Sequence, residues 1–271
     1  MPCVREIIKL PPMEKALKIA EDSRKFPKKI STADSAVYEC DICKDVGYIY
    51  NSETKSAKPC GCLEAKKGRV ILEKCGIAEA FKDKTFENYM SLNSETEKLK
   101  NTAVRYVREF DENSKNAVSI GFFGQSGVGK THLAIAIANE LMKRNIAVRY
   151  MPYIEKITEL KNLNRSGGTA ENFTDMMNDY RNVKVLMIDD LFKSARTYSG
   201  EVNGNDVRIM MDIINYRNLK GLATVFSSEC TPFELVKVDE ALGGRIINMC
   251  GKNIAVIEKD VRLNYRLRGI V

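Results

Sequence analysis

The chain of 271 residues has one histidine, His132, and no tryptophan. A catalytic zinc keeps an open position and usually counts histidine among its ligands, so this shortage speaks against one. No apolar run approaches the roughly 20 residues that span a bilayer. The opening Met1-Pro-Cys-Val-Arg-Glu-Ile-Ile-Lys lacks the apolar core of a signal peptide. These absences lead us to expect a cytoplasmic protein with no membrane partner. Internal repeats and low-complexity tracts are also missing, so nothing suggests a repeat architecture. Neither charge dominates: 43 Lys and Arg against 36 Asp and Glu leave a net +7. That mild basic balance permits nucleic acid as a partner without demanding it.

With 44% hydrophobic residues, the length allows one large domain and a small one. The stretch that organises the chain runs from Ala117 to Leu141. An apolar, strand-like run feeds Gly124, Gln125, Ser126, Gly127, Val128, Gly129, Lys130 and Thr131, and an apolar, helix-like run opens with His132. The turn fits the phosphate-binding P-loop. Its glycines let backbone N–H groups curl toward a phosphate, and the helix N-terminus adds the positive end of its dipole. Lys130 is placed to reach the β- and γ-phosphates of ATP, and Thr131 to ligate Mg²⁺. The plainer alternative is a glycine-rich turn that binds nothing.

Downstream, strand-like and helix-like runs alternate. Strands are expected at Ile146–Met151, Val183–Ile188, Leu222–Ser228 and Asn253–Glu258, and helices at Ile154–Leu163, Phe173–Tyr180 and Asp206–Asn218. This alternation predicts a parallel sheet with the nucleotide at its carboxyl edge. The run ending at Ile188 meets Asp189 and Asp190, as in a Walker B strand. There Asp189 is read as holding Mg²⁺ through water, and Asp190 as polarising the attacking water. A buried strand ending at a polar turn is the alternative. Ser94-x-x-Glu97 and Thr231-Pro232-Phe-Glu234 read as helix-starting capping boxes. Residues 192–204 read as a mobile loop.

The cysteines fall in a pattern. Cys40 and Cys43 form a C-x-x-C pair, Cys60 and Cys62 a C-x-C pair, and a hairpin-like segment lies between them. Four thiolates so arranged suit a closed structural Zn²⁺ site. A redox pair or scattered structural cysteines remain alternatives, and Cys75 is a possible replacement ligand. Cys3, Cys230 and Cys250 read as ordinary thiols. Ahead of the cysteines, residues 13–25 suggest a weakly amphipathic helix that either docks on something or is solvated. A linker follows it, and a further helix is read from Leu63 to Cys75. Ala80–Tyr89 reads as an extended connector anchored by Phe81, Phe86 and Tyr89.

Taken in order, these motifs resemble the DnaC/DnaI-type helicase loaders of the AAA+ ATPases, in the phage and mobile-element form with a cysteine-rich N-terminal region. The resemblance runs from about Tyr38 to the end. It is carried by Tyr38-Glu-Cys-Asp-Ile-Cys-Lys-Asp-Val-Gly, Pro59-Cys-Gly-Cys-Leu-Glu, the P-loop, Ile188-Asp-Asp-Leu-Phe-Lys, Ile213-Ile-Asn-Tyr-Arg, Ser227-Ser-Glu, Asp239-Glu-Ala-Leu-Gly-Gly-Arg-Ile and Asn264-Tyr-Arg-Leu-Arg.

It implies an α/β fold: an AAA+ P-loop NTPase with a five-stranded parallel sheet and no C-terminal lid domain, preceded by a small zinc-binding N-terminal domain. The expected division is an N-terminal helix and linker over 1–37, a zinc-binding region and connector over 38–90, and the ATPase domain over 91–271. Position by position, Ser228 matches the sensor-1 site, where many relatives have Asn. Arg245 matches the arginine finger supplied to a neighbouring subunit, although an arginine there can also be a plain helix-end residue. Arg266 matches a C-terminal sensor arginine, and Asp190 stands where many AAA+ proteins have Glu.

The implied function is ATP-dependent loading of a replicative DnaB-type helicase onto single-stranded DNA by a homo-oligomer that forms on ATP binding. Lys193, Arg196 and Tyr198, after the acidic pair, are candidates for contacting that DNA. An IstB-like transposition helper, binding duplex DNA and a transposase, is the rival within the same fold. From other classes, a small-molecule P-loop kinase and a non-hydrolysing zinc-ribbon DNA-binding module are weighed against it.

Overall fold

Apolar runs of the larger unit form five strands: β3 (Ile120–Gly124), β4 (Val148–Pro152), β5 (Val185–Asp189), β6 (Ala223–Ser228) and β7 (Ile254–Ile257). β1 and β2 belong to the smaller unit. In this computed structural model the described residues are 38, 40–51, 54, 56–63, 83–114, 117–165, 170–193 and 202–267. The readings at residues 13–37, Cys3, Cys75, Phe81, Arg196, Tyr198 and nearly all of the Leu63–Cys75 helix lie outside them.

The chain divides into two units, Met1–Glu64 and Ala65–Val271. Residues 83–90, read from the sequence as a connector grouped with the cysteines, fall in the larger unit.

In the larger unit the strand order is β4-β5-β6-β3-β7, and every neighbouring pair is parallel. The chain leaves β3 for the far edge at β4 and steps back inward, so β3 ends up between β6 and β7. The P-loop, Asp189 and Ser228 consequently share one carboxyl edge. Strand alternation sends Phe122 to one face and Phe123 to the other, and both are fully buried.

On the first face lie α1 (Ser94–Glu109) and α2 (Lys130–Lys143), through Leu99, Ala103, Tyr106, Leu133 and Ile137. The second face is covered by α3 (Tyr153–Arg165), α4 (Ala170–Asn182), α5 (Gly204–Leu219), α6 (Pro232–Val238) and α7 (Glu240–Cys250). Leu160, Met177, Met210, Ile213, Leu242 and Ile246 are buried there.

One local expectation shifts. The first helix is capped one residue early: Asn93 accepts from the backbone of Thr96, and the Thr96 hydroxyl answers the Asn93 N–H. Thr96 therefore takes the box position expected of Glu97, because the short Asn side chain reaches the free N–H groups from an extended backbone. The Gly243-Gly244-Arg245 stretch lies inside α7, the helix that follows α6. A Cβ at Gly243 would sit 2.6 Å from the α6 backbone, so glycine there lets the two helices cross closely. The second box, Thr231 with Glu234 and Pro232 at the first turn, is as read.

Arg217, expected only near a helix end, is fully buried. Its guanidinium donates to the carbonyls of Tyr180 (2.9 Å), Arg181 (3.2 Å) and Val183 (2.8 Å), to the Thr224 hydroxyl (3.0 Å) and to Ala223 O. It ties the open carbonyls at the end of α4 to the starts of β5 and β6. Arg217→Ala leaves those acceptors unpaired in a dry site and is expected to lower unfolding free energy by about 3–5 kcal/mol. Urea denaturation monitored by circular dichroism checks this.

Candidate functional site

The cleft is built on the turn after β3. Gly124 has φ +98°, and a Cβ there would lie 2.0 Å from the Ile257 carbonyl oxygen. Gly129, at φ +85°, lies equally tight beneath the Tyr89 ring, and only a residue without a Cβ fits both the angle and the space. Partners brace the loop from outside. Gln125 N donates to Ile257 O at 3.0 Å and Tyr265 N to Gly127 O at 2.9 Å. The Tyr89 hydroxyl donates to the buried Val128 carbonyl at 2.8 Å.

Lys130 opens α2 and is buried, its Nζ donating to Gly124 O at 2.8 Å and Gln125 O at 2.6 Å. Burial brings its pKa down to about 8, although Glu229, Asp190 and Asp189 lie close enough to oppose the shift.

The acidic half comes from β5. Asp189 is buried and accepts hydrogen bonds from the hydroxyls of Thr131 (2.9 Å), Tyr150 (3.0 Å) and Ser227. Burial raises its pKa, and the neighbouring Asp190 adds to that, against the hydroxyl bonds. A desolvated carboxylate held only by neutral hydroxyls, with a threonine hydroxyl on one oxygen, fits a hard divalent cation. Asp190 turns at φ +57° with its N–H on Ser227 Oγ, and its carboxylate takes Lys193 Nζ at 2.9 Å.

The cavity over the loop measures about 430 Å³ and is lined by Ser126, Lys130, Thr131, Asp190, Lys193 and Glu229 at its phosphate end. Lys84, Asn88, Tyr89, Met90, His132, Ile135 and Arg266 also line it. His132 donates Nε2–H to Thr85 O at 2.8 Å, and burial lowers its pKa, so the ring is neutral at physiological pH. Residues 83–90 are thus a wall of the site. Of the nucleotide-site residues named from sequence, Ser126, Gly127, Gly129, Lys130, Thr131, His132, Asp190 and Arg266 line this cavity.

Two others stand apart. Ser228 is fully buried, its hydroxyl donating to Leu191 O at 2.7 Å and accepting from Cys230 N at 3.1 Å. Arg245, half-buried on α7, places Nη1 3.0 Å from Met211 Sδ. Lys193, read as a DNA candidate, is ion-paired inside the cleft. Tyr150 carries no motif, and Ser227 and Glu229, although part of the Ser227-Ser-Glu stretch, have no role assigned from sequence. Position alone pointed to the last two, beside Ser228 at the end of an apolar strand.

In the smaller unit, β1 (Tyr48–Asn51) pairs antiparallel with β2 (Ser56–Pro59). The sulfurs of Cys40, Cys43, Cys60 and Cys62, all buried, lie within 4.8 Å of one another. A zinc–thiolate tetrahedron with bonds of about 2.3 Å has edges of about 3.8 Å. Cys40 to Cys60 measures 3.8 Å and Cys43 to Cys62 3.3 Å, so the cluster is compatible with zinc. The turn after Cys43 passes through positive φ at Lys44, Asp45 and Gly47, and Gly47 N–H donates to Cys43 Sγ at 3.3 Å, as a thiolate ligand requires.

The sheet order, the P-loop and the acidic strand end define an AAA+ P-loop NTPase. Residues 81–250 match the bacterial DnaA ATPase domain. The phage-like element PBSX protein XkdC of Bacillus subtilis (strain 168) is 33% identical over 254 residues, 89% of this chain and 91% of that protein. Replicative helicase loader DnaC of Escherichia coli (strain K12) is 34% identical over 127 residues, 47% of this chain and 50% of DnaC. The crystal structure of the DnaC helicase loader has a TM-score of 0.55 at 22% identity, covering 66% of this chain and 99% of that one, a likeness of fold. The chain belongs to the bacterial DnaA ATPase-domain family.

Proposed function

We propose that this chain is an ATPase that loads a DnaB-type replicative helicase onto single-stranded DNA. The observation that carries the reading is the convergence of Lys130, Thr131, Asp189 and Asp190 on one cleft in a chain similar to DnaC. Bound ATP·Mg²⁺ supplies a phosphoanhydride whose cleavage times the release of partners. Lys130 and the loop N–H groups neutralise and orient the phosphates. Thr131 and Asp189 hold the cation. Asp190 orients a water once Lys193 is drawn off its carboxylate. Arg245 lies outside its own cleft, which suits a residue supplied to the next subunit of an ATP-dependent homo-oligomer. The cysteine module, closed by Zn²⁺, is the proposed grip on the helicase. The net positive charge suits contact with a DNA backbone.

The test is co-purification with the DnaB-type helicase of the same genome, followed by loading onto single-stranded circles. A complex that loads only with ATP is the expected result. A complex with a transposase and none with the helicase would replace this reading by the IstB-like one.

A further inference from the structure

We propose that Glu229 is a built-in competitor of the terminal phosphate and sets the preference of the cleft between nucleoside di- and triphosphates. The inference rests on the cleft being a nucleotide site, and it concerns a residue to which the sequence motifs give no role.

Glu229 follows the tip of β6. Its carboxylate lies 3.2 Å from Lys193 Nζ and accepts a hydrogen bond from Ser126 of the P-loop. Lys193 is held at the same time by Asp190 at 2.9 Å. Burial works against ionisation of Glu229, but the bonds to Ser126 and Lys193 and the charge of Lys130 outweigh it and hold its pKa below the usual carboxylate range. The group is therefore a fixed anion at neutral pH, seated among the cations that a terminal phosphate needs. In charge and position it imitates that phosphate.

A diphosphate leaves the Ser126–Glu229–Lys193 bridge in place. A triphosphate brings a second anion to the same cations and has to break it. Like charges a few ångströms apart in a partly buried cleft repel strongly, so the carboxylate has to leave. It has somewhere to go: Ser126, Lys193 and Glu229 also line a second cavity of about 460 Å³ behind the loop, whose wall includes Lys259. Glu229 is 37% exposed, so its side chain can turn. Five residues on, Glu234 lies in the first turn of α6, and α6 packs on α7, which carries Arg245. Displacement at Glu229 thus begins next to elements leading away from the cleft.

The experiment measures Kd for ADP and for a non-hydrolysable ATP analogue, each with Mg²⁺, by calorimetry on the full chain. Wild type is compared with Glu229→Gln and Glu229→Ala, whose folding is checked by thermal melting. In both variants the ratio of diphosphate to triphosphate Kd is expected to rise, on the order of tenfold. An unchanged ratio, with both nucleotides bound, overturns the inference and leaves the nucleotide site standing. A rise in Glu229→Gln alone also overturns it, because the new amide donor and not the lost charge would then be acting. Wild type that binds neither nucleotide removes the inference together with the reading beneath it.

Discussion

Lys130→Ala abolishes ATP turnover and weakens nucleotide binding by at least about a hundredfold. The ammonium is the one cation seated in the loop itself; of the other cations lining the cleft, Lys193 is held by two carboxylates, and Lys84 and Arg266 belong to other segments. The fold is expected to survive. Burying the amine costs desolvation energy, and the released carbonyls of Gly124 and Gln125 border the cleft, where water can reach them.

The same residue predicts a pH dependence. In the free protein its pKa is brought down to about 8 by burial. A bound phosphate favours the charged amine and raises that pKa, so binding takes up a proton once the solution is more alkaline than the free-state value. Affinity should therefore be flat below about pH 7.5 and fall above pH 8 as the free amine loses its charge, by up to about tenfold per pH unit. Lys130→Ala should show no such slope. Calorimetry in buffers of different ionisation enthalpy reads the proton directly. A wild-type affinity that is level through pH 9 would refute the assignment of this lysine to the phosphates.

The second large effect concerns the cysteine cluster. Purified protein should carry one zinc per chain, and Cys62→Ser should bring that close to zero. Apparent zinc binding in small thiolate modules is worth about 10–16 kcal/mol at neutral pH. Beyond the four cysteines, the only partly buried apolar side chain packed on this cluster among the described residues is Ile49. So little apolar burial leaves the hairpin dependent on the ion, and chelation should unfold it. Metal analysis and thiol alkylation with and without chelator measure this. Equal alkylation rates in the two conditions would favour the redox-pair reading. Nucleotide affinity should persist in Cys62→Ser, since every residue lining the cleft lies in Ala65–Val271.

The phosphate end of the cleft was legible because its chemistry is contiguous. A loop that needs backbone N–H groups, positive φ and a following helix must write all three into eight neighbouring residues. The acidic pair was legible for a similar reason, since an apolar strand has to end where its carboxylates begin. Tyr89 and Asn88 were read as connector, because the wall they form is made with residues some 40 positions away. Lys193 was read as a DNA-contact candidate in a mobile loop, because only the fold brings Asp190 and Glu229 to either side of it. Ser228 was read as facing the nucleotide, but alternation along β6 is not enough to tell which of Ser227, Ser228 and Glu229 points into the cleft.

The sequence by itself determined the parallel α/β architecture, the phosphate loop, the acidic strand end and the four-sulfur cluster. Each depends on periodicity or on spacing within a few residues. Tertiary structure alone decided that Tyr150 and Ser227 serve Asp189, that Arg217 is a buried tie between helix and sheet, and that Glu229 sits among the phosphate-binding cations. These are contacts between strand ends distant in the chain, where charge and burial are set by neighbours that no local pattern names.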